Sequence, residues 1–154
     1  EILREIAPVD VLHSMSNHDY QSGFHLAHAL KSWFRLDRDV TFDISVSYRK
    51  YYQYGKNLIA STHGDGAKEK DLPLLMAQES AESWACTKYR YIYTHHIHHK
   101  VLKDYIGVTV ESLRTPSGTD GWHHRNGYQH NPKAVEGFLH NPNHGQVAKF
   151  IHLF

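Results

Sequence analysis

Residues 89–99 read Tyr-Arg-Tyr-Ile-Tyr-Thr-His-His-Ile-His-His, four imidazoles at the end of an aromatic, alternating run. Aromatic and β-branched residues with period two are the composition of a strand. Continued as a strand, the chain sends His96 and His98 out on one face and His95, Ile97 and His99 on the other. Two imidazoles side by side on a rigid element suit a divalent cation, because neutral imidazole is a common donor to zinc, manganese, iron and nickel. Two further polar groups stand where apolar runs end. Ser16-Asn17-His18-Asp19 follows the run 9–15, and His63 follows the run 58–60 and opens onto Gly64-Asp65-Gly66. In a sheet of α/β type such ends collect along one edge, where ligands bind.

The elements that must hold these groups follow from periodicity. Residues 1–6 read as the end of a helix stopped at Ala7-Pro8, and 9–15 as a short buried strand. Leu26, Ala29, Leu30 and Trp33 fall at helical spacing, which predicts an amphipathic helix over 21–34, capped by Asp19 or Ser22 and covering the sheet with that stripe. Residues 40–54 alternate, and Gly55-Lys56 supplies a hairpin turn into 58–60. Good helix formers fill 70–87, with Pro73 near the first turn. A further strand is expected over 104–113, a short helix over 133–139 and a last strand over 146–154. The class predicted is α/β, with 1–154 as a single domain.

Composition narrows the chemistry. Seventeen Lys and Arg against sixteen Asp and Glu leave a formal charge of +1, so no strong basic field for nucleic acid shows in the totals. Fifteen His exceed what a core needs. The single cysteine, Cys86, leaves no intrachain disulfide or thiolate cluster, which fits a reducing, cytoplasmic setting. No apolar run nears the about 20 residues of a membrane-spanning helix.

The three polar blocks, in order and spacing, resemble the calcineurin-like metallophosphoesterases, whose pattern runs Gly-Asn-His-Asp, a lone His, then Gly-His-x-His. Here the blocks read Ser16-Asn17-His18-Asp19, Thr62-His63-Gly64-Asp65 and His95-His96-Ile97-His98. The stretches 70–77 and 117–124 look like a branch common in phage and bacterial genomes, which extends the resemblance over nearly the whole chain. It implies a β-sandwich flanked by helices and two divalent ions (Mn, Fe or Zn) bridged by a hydroxide. Asn17, His63 and His96 would ligate one ion and His98 the other, and His18 would be the general acid. The substrate implied is a phosphodiester, in nucleic acid or a nucleotide. The family's Asp-x-His and Gly-Asp motifs do not precede Ser16, and Asp10 with His13 is the nearest imitation. The chain therefore reads as the carboxyl-terminal portion of the fold, holding at most one ion well. The alternative is a non-catalytic metal-binding or scaffold module with half a site, and loss of the first strands would favour self-association.

Plainer readings stand beside these. His13, His25, His28, His130, His140, His144 and His152 read as ordinary surface or core histidines. Asp19 and Asp65 suit either orientation of metal-bound imidazoles or turns and caps. Tyrosines at 48–54 and 89–93 alternate with Arg49, Lys50 and Arg90, a mixture able to stack bases, though packing between layers accounts for it more simply. A packed Trp with solvent histidines likewise explains Trp122-His123-His124 more simply than a pocket rim.

Overall fold

The computed structural model describes residues 2–118, 124–125, 127 and 130–154. The fold is mixed α/β, with three helices and nine strands in three sheets among those residues. Contacts divide it into two compact units, the chain up to Lys50 and the chain from Tyr51 onward.

In the first unit a 3-10 turn, Ile2–Glu5, precedes strand β1 (Val9–Leu12), helix α1 (Tyr20–Trp33) and strand β2 (Val40–Asp43). β1 and β2 pair in parallel, Val9 opposite Val40. β1 is shorter than expected and only partly buried. Helix α1 falls where the spacing placed it, but most of its stripe does not face inward: Leu26 is 63 % exposed and Trp33 71 %. Gly23 and Ala27 are its buried residues. The cause is close approach, since a Cβ on Gly23 would stand 3.2 Å from Cε1 of His13. Asp19 occupies the cap position without a capping hydrogen bond, and Ser22 lies inside the helix. Of the stripe, Leu30 joins Phe34 in lining an apolar groove of roughly 510 Å³ with Val9, Val11, Val40 and Phe42. At the unit's end Lys50 is buried, its Nζ donating to Asp43 Oδ1 at 2.9 Å and to the Ser45 carbonyl at 2.6 Å. The Lys50 hydrogen bond is the main reason the Asp43 carboxyl falls to about 2.

The second unit is built on a five-stranded sheet in the order β3 (Arg49–Tyr54), β4 (Asn57–Thr62), β5 (Tyr89–Thr94), β7 (Val108–Ser112), β6 (Val101–Tyr105). β4, β5 and β7 run parallel and β6 is antiparallel to β7. Gly55 takes φ +56° in the turn between β3 and β4, as the hairpin reading required. Leu58, Ala60, Ile92, Val108 and Val110 point to one face and form the core with Leu72 and Met76 of α2 (Leu72–Glu79). The predicted helix 70–87 is divided: a 3-10 turn at Glu69–Asp71, then α2 with Pro73 in its first turn, then α3 (Ala81–Cys86) after a break at Ser80.

Two expectations fail here. The strand read over 104–113 is the hairpin β6–β7, reversed at Ile106-Gly107, where Gly107 has φ +76°. The helix expected over 133–139 is strand β8 (Ala134–Asn141), paired antiparallel with β9 (Gly145–Leu153). Long-range pairing decides it, because β8 presents Glu136, Phe138 and His140 to the opposite face of the five-stranded sheet. Phe138 stacks on Tyr93 at 4.4 Å, and Tyr93 Oη meets His140 Nε2 at 3.3 Å and donates to Gln146 Oε1 at 3.1 Å. Burial, then the charge of Glu111, push the Tyr93 hydroxyl's pKa up, so it stays a donor. The β5 tyrosines are thus packed under this hairpin. Arg90 is spent on Trp84, with its guanidinium 4.0 Å from the ring centre and hydrogen bonds to the carbonyls of Trp84 and Thr87.

Gly145 makes the hairpin seat tightly. It has φ +79°, and a Cβ there would fall 2.6 Å from Tyr91 Oη. Gly145→Ala is therefore expected to cost roughly 2–3 kcal/mol, combining left-handed strain with overpacking. Gly66→Ala, in open space at Gly66, is the matched control. Equal urea midpoints for the two variants would refute this.

Candidate metal centre

β4 and β5 are parallel neighbours with Thr62 opposite Thr94, so the residues that follow, His63 and His95, leave the sheet at the same carboxyl edge. There the chain turns instead of continuing extended. The amides of His95 and His96 both donate to the His63 carbonyl, at 2.9 and 2.8 Å. His98 takes φ 54°, and its backbone is left-handed. The reading of His96 and His98 as same-face strand neighbours is therefore corrected: β5 ends at Thr94, and both histidines belong to the turn. Two amides converging on one carbonyl pull the chain out of the pleat, a cause that the local pattern does not contain.

The turn brings His96 to His63. His96 Nδ1 and His63 Nε2 are 3.1 Å apart, with ring centres 5.0 Å apart and planes at 73°. His63 is 8 % exposed and His96 half-buried. Two nitrogens bound to one zinc-like ion at about 2.0–2.1 Å stand about 2.9–3.4 Å apart for bond angles between square and tetrahedral. The spacing fits a shared cation, and also an N–H···N bond between neutral rings. Gly64, with φ +104°, lets the loop turn beside Thr94, whose Cβ would be 3.2 Å from an added Cβ.

His95 contributes more to this edge than its strand parity suggests. Its Nε2 lies 3.4 Å from Ser61 Oγ, and burial, then the neighbouring His63, hold its imidazole below the ordinary value, hence neutral at pH 7. Ser61 and His95 meet because β4 and β5 are parallel neighbours, and the only sequence signal was that both lie at the carboxyl ends of apolar or alternating runs. His99 closes the turn, its Nδ1–H reaching the Ile97 carbonyl at 2.8 Å.

Asn17 and His18 occupy an exposed turn after β1 in the first unit, the His18 amide donating to Ser16 Oγ at 3.2 Å. Asp10 accepts from Thr41 on β2, and His13 lies over Gly23 of α1. Asp65 is exposed. Of the stretch 117–124, residues 119–123, with Trp122 and His123, lie outside the described residues. No helix among the described residues is long and apolar enough to cross a membrane. A scan against protein-family models finds no match, and a search of curated proteins finds none either.

Proposed function

We propose that the protein is a metal-dependent phosphoester hydrolase of the calcineurin-like kind, acting on a phosphodiester of a nucleotide or nucleic acid. The observation that carries the reading is the pair of imidazole nitrogens 3.1 Å apart at adjacent ends of two parallel strands. The order of the three polar blocks in the sequence supports it. His63 and His96 would hold a divalent ion of the manganese, iron or zinc type, a donor set without thiolate. When bound, such an ion supplies Lewis-acid charge neutralisation to a phosphoryl oxygen and acidifies water. Asn17 and His98 enter as further ligands on the motif alone. His18 enters as the acid that protonates the leaving oxygen, a proton-transfer task suited to an imidazole.

A second reading, a metal-binding module without turnover, is favoured by the spacing of Asp10 and His13, one residue longer than the Asp-x-His motif. Hydrolysis of bis(4-nitrophenyl) phosphate with Mn²⁺ and with EDTA, alongside metal analysis, decides between them. Mn²⁺-stimulated turnover abolished by EDTA is expected. Bound metal without turnover leaves the module reading, and no bound metal removes both.

A further inference from the structure

Beyond the histidines, the turn has an anchor that the sequence motif does not include. Lys100, directly after His99, ion-pairs with Glu111 of β7 and Glu136 of β8. Lys149 of β9 pairs with the same two carboxylates, at 2.8 Å to Glu136. The glutamates are almost fully buried, with side-chain exposures of 3 % and 1 %, whereas the two lysines retain about a fifth of theirs. Arg114 adds a longer contact to Glu136 at 3.4 Å. Both ammonium groups lie near the Phe138 ring, 5.9 and 5.1 Å from its centre. The two lysines are thus close to equivalent in charge, partners and burial. They differ in what they are attached to: Lys149 is in the middle of β9, and Lys100 ends the histidine turn.

We propose that Lys100 is a positioning residue that fixes the carboxyl end of the histidine turn by its double ion pair, so that His96 is held facing His63. At its amino end the turn is tied by two amides to the His63 carbonyl. Between those ends stand His98 in left-handed backbone and the exposed Ile97. Beyond Lys100 the backbone enters β6, where Val101 pairs with Ser112 of β7, but backbone pairing there starts one residue past the turn and leaves residues 97–99 room to let His96 swing. A side-chain hold at the turn's last residue confines it further, and buried carboxylates grip harder than exposed ones because water does not compete for the lysine. The inference rests on the metal reading where it concerns ligand geometry, and on the turn alone where it concerns backbone order.

The near-equivalence of the lysines provides the test. Lys100→Met and Lys149→Met remove comparable ion pairs, so both lower stability. Lys100→Met alone is expected to weaken Co²⁺ binding by about 10-fold or more and to shift the visible bands of the bound Co²⁺, as loss of a group that orients a ligand does. It should also speed amide exchange at His95 and His96. Lys149→Met should leave both within two-fold of wild type, and Lys100→Arg should restore most of the affinity. Equal changes in Co²⁺ affinity and in His95–His96 exchange for the two Met variants would overturn the proposal. If the wild type takes up no Co²⁺, the metal reading fails by itself, and the exchange measurement alone then upholds or overturns the anchoring role of Lys100.

Discussion

His96→Ala is expected to lower Mn²⁺-stimulated phosphodiester hydrolysis by at least about 100-fold, with a matching loss of metal affinity. The size follows from the geometry. His96 Nδ1 is one of two nitrogens set 3.1 Å apart, and removing one member of a two-imidazole grip exceeds the 10–100-fold typical of groups standing behind a ligand. The backbone should survive, because the turn is tied through the amides of residues 95 and 96 to the His63 carbonyl, and neither tie uses the ring. If the contact is only a hydrogen bond between neutral rings, the same substitution costs about 0.5–1.5 kcal/mol of stability and leaves metal uptake unchanged. Chelator competition and thermal denaturation on one preparation separate the two. His152→Ala, at an exposed histidine on β9, is the control and should leave rate and affinity within two-fold.

The parts of this site that could be read in the sequence are those fixed by local chemistry. Alternation from Tyr89 to Thr94 gives β5, the glycine after Tyr54 gives the turn into β4, and those strands carry His63 and His95 to one edge. What local pattern could not give is what a distant partner imposes. The His63 carbonyl, more than 30 residues back, captures two amides and converts an expected strand continuation into a turn. β8 is a strand because β9 pairs with it and the β5 tyrosines accept its side chains, although residues 133–139 carry no helix breaker except Gly137. The stripe of α1 was correctly found in spacing and wrongly assigned to burial, since Gly23 and Ala27 allow a closer approach than Leu26 or Trp33 would. Charge pattern hid the ion cluster for the same reason. Lys100, Glu111, Glu136 and Lys149 have no sequence spacing in common and meet only when the hairpin β8–β9 closes over the sheet.

That cluster sets the second large expectation: Glu136→Ala should destabilise the protein by roughly 3–5 kcal/mol, the range for breaking a buried ion pair by removing one partner. Glu136 is the more buried of the cluster's two anions, 1 % exposed, and Lys100, Lys149 and Arg114 all turn to it. Because these cations keep a fifth to a quarter of their surface in water, they are partly resolvated in the variant, which argues for the lower half of the range. The pH dependence carries a definite sign. Burial acts to raise the pKa of Glu136, but the hydrogen bonds from Lys100 and Lys149 outweigh it and leave the carboxyl below its ordinary value of 4.5. A group whose pKa is depressed on folding contributes stability above its unfolded value and loses it as pH falls through the folded one. The gap in urea midpoint between wild type and Glu136→Ala should therefore be full at pH 7 and narrow progressively below about pH 4.5. A gap unchanged down to pH 3 would mean that packing of the β8–β9 hairpin, and not the charge of Glu136, holds it to the sheet.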